Sequence, residues 1–151
     1  MSHSKLIAIV LLVGSSTMYA AVDPVSNWNS VAVQATLTAG ETAVPQSRTL
    51  AIVHVAIHDA LNSIDSRYER YAFKADVQTG ASVDAAIAAA ARDALVGAIA
   101  VGPVGIPQFG PPALQALAVA QVNTAYAMVL AAIPDGTAKT TALPSDRPQP
   151  R

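Results

Sequence analysis

Residues 46–64 read Q-S-R-T-L-A-I-V-H-V-A-I-H-D-A-L-N-S-I, and their spacing predicts the best-defined helix in the chain. Leu50, Val53, Ile57, Ala60, Leu61 and Ile64 fall on one broad apolar face at helical spacing. Arg48, His54, His58, Asp59 and Asn62 take the opposite arc. Pro45 stands just before this stretch, where a helix is expected to start.

Working outward, the same period recurs on both sides. Trp28, Val31, Ala32 and Ala35 predict a first helix running to about Thr38, capped by Ser26 or Asn27, with Gly40 as its stop. Ser82 is placed to cap a third helix, with Asp84 in its first turn, where the helix dipole favours a negative charge. Ala85 to Ala91 hold six alanines and Ile87. Such small side chains admit a close neighbour but bury little area each. Residues 97–112 contain four glycines and four prolines and predict a loop. A fourth helix is expected from about Ala113 to Ile133, with the stripe Val119, Val122, Tyr126, Val129, Leu130 and Ile133; Pro134-Asp135-Gly136 end it. Between the second and third helices, residues 65–80 gather charges and three rings. This reads as an ordered connector whose rings pack onto the helices.

Composition sets the class. The chain has 151 residues, 52% apolar and 13% charged, and 32 of them are alanine. The charged fraction is about half the usual ~25%, so most of the chain is expected to fold, as an all-α partial bundle of about four helices. Nine Lys+Arg against ten Asp+Glu leave a net charge of −1, which argues against a nucleic-acid partner. The absence of cysteine removes disulfides, thiolate metal sites and thiol nucleophiles together.

The two ends read differently from the middle. A weakly basic start (His3, Lys5), the apolar run Leu6 to Val13, a break at Gly14-Ser15-Ser16-Thr17 and the small residues Ala20-Ala21 have the layout of a signal peptide over 1–20. The alternatives are a buried N-terminal helix or an anchor that also uses Met18 to Val22. Eight apolar residues are too few for the ~20 of a membrane span. The alanine runs further on are interrupted by Arg92-Asp93, Gln121 and Asn123. The mature chain is therefore expected to be secreted or periplasmic, without a stable membrane span. Residues 142–151 hold three prolines and no periodicity, and are expected to form an irregular, disordered tail.

Several site chemistries can be weighed on spacing. His54 and His58 lie one turn apart and could share a metal, but Val55 stands where a metalloprotease helix needs glutamate. No histidine follows His58, and Asp59 points about 100° away. Two histidines on a partly buried polar stripe is the competing reading. No serine sits in a Gly-x-Ser-x-Gly elbow. Asp59, Asp65 and Glu69 could act as paired acids, or else as surface groups paired with Arg67, Arg70 and Lys74. The glycines of 97–110 match neither nucleotide fingerprint.

Three passages together carry a resemblance: N-W-N-S-V-A-V-Q-A-T-L-T-A-G (27–40), residues 46–73 with their R-x-x-A-x-x-H-x-A-x-x-D-A-x-N pattern, and A-A-I-P-D-G-T-A-K (131–139). Over residues 23–141 the chain resembles the N-terminal helical region of vanadium-dependent haloperoxidase-like proteins, relatives of the type 2 phosphatidic acid phosphatase (PAP2) superfamily. The resemblance implies an exported all-α protein with an oxyanion pocket for vanadate or phosphate. In that family the pocket is made by Lys-x6-Arg-Pro, Pro-Ser-Gly-His and Ser-Arg-x5-His elements, whose cations neutralise the anion while histidines ligate it and move protons.

None of these elements occurs in this sequence. Seven residues instead of six separate Lys139 from Arg147-Pro148, Pro144 among them, and Pro144-Ser145-Asp146 lacks the glycine and histidine. The reading is therefore of an N-terminal family fragment, truncated or frameshifted near Ala142, with no catalytic or cofactor residues of its own and His54 and His58 as weak metal candidates. The alternative is a secreted, non-enzymatic helical interaction module. Either way, alanine-rich faces without partner helices are expected to pack loosely and to self-associate.

Overall fold

The computed structural model describes residues 23–72, 78–101 and 110–142. Residues 1–20 of the expected signal peptide, 102–109 of the expected loop and 143–151 of the expected tail lie outside these, while Ala142, expected to open the tail, ends the last helix. The described residues are all-α, with five helices: α1 (Pro24–Thr38), α2 (Ala43–Ile64), α3 (Val83–Val101), α4 (Pro112–Ala132) and the short α5 (Thr137–Ala142).

Local chemistry explains most boundaries. Asp23 caps α1, its Oδ2 accepting the Ser26 N–H at 2.9 Å, with Pro24 in the first position. This corrects the expectation of Ser26 or Asn27 as cap. Proline at the first position is preorganised for a helix, and its missing N–H is one that would lack a partner anyway. The other end is a glycine-terminated turn. The Gly40 N–H reaches the Leu37 carbonyl, the Glu41 N–H reaches the Thr36 carbonyl, and Gly40 has φ +79°. The second helix starts at Ala43, so Pro45 lies inside its first turn, where the lost N–H is again harmless. Ser82 caps α3 as expected, its Oγ accepting the Ala85 N–H.

Gly97 belongs to α3, not to a loop, and the helix continues to Val101. One glycine costs about 1 kcal/mol in a helix, and buried Leu95 and Ile99 on either side offset it. After α4, Lys139 reaches back from α5 to bond the Ile133 carbonyl and Asp135.

The four long helices run up-down-up-down. Gln46 bonds Thr36 and His54 approaches Asn29, so α1 and α2 are antiparallel. The Gly110 N–H bonds the Ala39 carbonyl, placing the start of α4 beside the end of α1. The alanine-rich α3 is the hub and touches each of the other four helices. Ala85, Ala88 and Ala91 are fully buried beside Ile87, Leu95 and Ile99. The expectation that alanine faces lack partners is therefore corrected for α3: its small side chains let helices close on it from several sides. Trp28, Ala32, Ala35, Val53, Ile57, Ala118 and Val122 complete the core.

Gly40 and Gly110 meet backbone to backbone where α1 ends. A Cβ on Gly40 would lie 2.9 Å from the Gly110 nitrogen. Left-handed backbone adds about 1–2 kcal/mol for a residue with a side chain. Gly40→Ala is expected to lower the melting temperature by several degrees, whereas Gly136→Ala, with open space around it, leaves it unchanged. Parallel thermal melts check this.

Candidate functional site

The chemistry-bearing residues of α2 do not converge on a pocket. His54 is exposed and its Nε2 lies 3.1 Å from Asn29 Oδ1. His58 is half-buried and its Nε2 lies 3.1 Å from the Glu69 carbonyl oxygen. A carbonyl only accepts, so the His58 Nε2 carries a proton and donates. The two imidazoles are thus aimed at different partners, one on α1 and one in the following loop. Among the described residues, no group of three or more His, Asp or Glu side chains is arranged to hold a metal ion.

Asp59 and Asn62 lie on the polar arc of α2, yet Asp59 is not the surface group that was one of its two expected roles. Both are buried, Asp59 to 1% exposure. The Asp59 carboxylate accepts the backbone N–H groups of Tyr71 and Ala72, each at 2.8 Å. Asn62 Oδ1 accepts those of Arg67 and Tyr68, and its Nδ2 donates to the His58 carbonyl. A buried carboxylate is tolerated when its lone pairs are filled in this way. Side chains on one turn of α2 therefore hold the 67–72 loop. The sequence signal for this was available: two short acceptors three residues apart at the end of an amphipathic helix, ahead of a polar connector.

The remaining carboxylates of the set are not paired acids. Asp65 bonds Arg67 at 2.6 Å on the surface, and the Glu69 side chain is exposed. Of the connector, residues 65–72 and 78–80 are described, and the two tyrosines among them do not enter the core. Tyr68 and Tyr71 remain 70% and 76% exposed and contact only the edge of the bundle at the His58 ring, with centroids 6.2 and 5.5 Å away. Phe73 lies outside the described residues.

One buried acid went unnoticed in the sequence. Glu41, in the α1–α2 turn, is 5% exposed; its Oε1 accepts the Thr49 hydroxyl, while Oε2 has no partner among the described residues. Burial raises its pKa above the usual carboxylate range, against a smaller lowering by the Thr49 bond. The folded state then keeps a proton that the unfolded chain releases near pH 4.5, so stability falls as pH rises through that value toward the raised one. Glu41→Gln retains the Thr49 bond and removes the ionisation. It is expected to melt higher than the parent at pH 7, with the difference vanishing below pH 4.5; melts across pH read this directly.

An open groove of about 370 Å³ lies between Asn27 and Trp28 of α1, Asp84 of α3, Val129 and Ala132 of α4, and Ile133 just after it. Its charged lining group is a carboxylate, which repels an oxyanion. Lys139, the nearest sequence imitation of an oxyanion lysine, is instead engaged by Asp135 and the Ile133 carbonyl at the end of α4. Arg147 lies outside the described residues.

Compared with family models, curated proteins and solved structures, the chain finds no match.

Proposed function

We propose that this chain is the N-terminal helical part of a vanadium-dependent haloperoxidase-like protein of the PAP2 superfamily, a scaffold without oxyanion chemistry of its own. The observation that carries the reading is the use made of the R-x-x-A-x-x-H-x-A-x-x-D-A-x-N passage. Its Asp59 and Asn62 bind loop backbone, and its His54 binds Asn29. Its polar residues thus act in holding the chain, as suits a segment whose family places the anion pocket elsewhere. Vanadate would be bound by the lysine–arginine and histidine elements that this sequence lacks. Export through cleavage of residues 1–20 belongs to the same proposal.

The test is direct. Purified chain is incubated with vanadate, bromide and peroxide, and separately with a phosphate ester. No turnover above buffer is expected, and Trp28 fluorescence stays unchanged on vanadate titration. Halogenation or phosphate release by the chain would overturn the proposal. Mass measurement of the exported product is expected to give an N-terminus at Ala21 or Val22.

A second reading, a non-enzymatic helical interaction module, is favoured by one separate observation: α4 turns an apolar face outward. By length and composition α4 could cross a membrane, yet only 11% of its most apolar stretch is buried in the bundle.

A further inference from the structure

Pro134, Asp135 and Gly136 form an exposed corner between α4 and α5. Asp135-Gly136 is the only Asp-Gly pair in the chain, and no Asn-Gly pair occurs. In such a pair the main-chain nitrogen of glycine can close on the aspartate side-chain carboxyl carbon, because no Cβ hinders the approach. The surroundings leave that approach open. The Asp135 side chain is 97% exposed, and a Cβ built on Gly136 would meet nothing within 4 Å. Among the described residues the Gly136 N–H has no hydrogen-bond partner, whereas the Gly136 carbonyl accepts from Thr140.

One group opposes ring closure. Lys139 Nζ bonds Asp135 Oδ1 at 2.9 Å and the Ile133 carbonyl at 3.1 Å, and the lysine side chain is only 16% exposed. The ammonium is thus anchored at the end of α4 and grips the carboxylate from there. That hydrogen bond, and after it the Lys139 charge, hold the Asp135 carboxyl below the usual carboxylate range. Cyclisation needs the opposite: a protonated carboxyl, free to turn, that can lose an oxygen as water.

We propose that Asp135-Gly136 is a site of slow isoaspartate formation and that Lys139 is the positioning residue restraining it. The Gly136 nitrogen bonds to Asp135 Cγ; its proton and the carboxyl hydroxyl leave together as water, closing a succinimide ring. Water then adds to the ring carbon that was the Asp135 main-chain carbonyl, and the bond from that carbon to the Gly136 nitrogen breaks. The product has the same mass, its main chain runs through the Asp135 side chain, and its free carboxylate sits on Cα. Water is the only co-reactant. The added main-chain methylene falls between α4 and α5. It moves the carboxylate off Lys139 and loosens α5, whose Ala138 carbonyl accepts the Ser82 N–H at the start of α3. Asp65-Ser66 is the natural comparison: Asp65 is also exposed and paired with a cation, Arg67, but serine carries a Cβ. The inference rests on this corner alone and does not depend on the family reading.

Full chains of the parent, Lys139→Gln, Lys139→Arg and Gly136→Ala are kept folded for several weeks in warm, mildly acidic buffer, with circular dichroism melts of fresh samples as the check on folding. Isoaspartate is located by fragmentation mass spectrometry of the peptides and counted by enzymatic methylation of isoaspartyl carboxylates. It is expected at position 135 in the parent, several-fold more in Lys139→Gln, and many-fold less in Gly136→Ala. Lys139→Arg keeps a cation and its donors, so its level stays near that of the parent. Parent against Gly136→Ala decides the site without either lysine variant. Isoaspartate chiefly at Asp65-Ser66, an undiminished rate in Gly136→Ala, or no rise in Lys139→Gln would overturn the proposal. So would a rate in Lys139→Arg equal to that in Lys139→Gln.

Discussion

Replacing Asp59 with alanine is expected to destabilise the chain by about 3 kcal/mol, lowering the melting temperature by about 10 °C. The carboxylate accepts two backbone N–H groups from the loop, at Tyr71 and Ala72. Bonds to a charged acceptor contribute about 1.5–3 kcal/mol each; the loop lies at the surface, where water can replace part of this. Asp59→Asn keeps acceptor capacity on one oxygen and loses the charge, so an intermediate loss is expected. The local consequence separates this role from a general packing effect. With Asp59 gone, the 67–72 loop is released from α2, and trypsin cuts faster after Arg67 and Arg70. Native-state proteolysis followed by mass spectrometry reads both sites; cleavage at the parent rate would show that the loop is held by other means.

Replacing Trp28 with alanine has an effect of similar or greater size, about 3–5 kcal/mol. Trp28 is 1% exposed and is the one tryptophan of the chain. It sits where α1, α3 and α4 come together, beside Asp84, Val129 and Ile133. Removing the indole leaves a void that joins the neighbouring groove, so water can enter and the loss falls toward the lower end of that range. A folded chain of this size has a total stability of only about 5–15 kcal/mol, so the variant is close to unfolding at ordinary temperature. Far-UV circular dichroism follows the melt without the lost fluorophore. Trp28→Phe retains a ring in the same space and is expected to recover more than half of the loss. An alanine variant melting within 2 °C of the parent, a margin of about 1 kcal/mol or less for a chain of this length, would show that the α1–α3–α4 junction is not held by this residue.

The two residues differ in how readable they were. Trp28 announces itself by its place in a helical period with Ala32 and Ala35, and a large apolar ring at such a position has few alternatives to burial. Asp59 gives the opposite impression. On a wheel it joins Arg48, His54 and His58 on the polar arc of α2, and Arg48 and His54 are indeed exposed. Its burial depends on a loop folding back over the end of the helix, an event no periodicity records. Glu41 escaped notice for a related reason: a charged residue after a helix-terminating glycine reads as surface until the neighbouring turn and Thr49 close over it.

Sequence by itself determined the four long helices and several of their limits: Gly40 ends the first, Ser82 begins the third, and Pro134 follows the fourth. These signals act within a turn or two of backbone, so they need no partner to be legible. Tertiary structure alone decided that the alanine-rich α3 stands at the centre, that Asp59 and Asn62 face a loop instead of water, and that one apolar side of α4 is left outside. Burial is a property of what packs against a surface, and a helix carries the pattern of its faces without specifying which neighbour will cover each one.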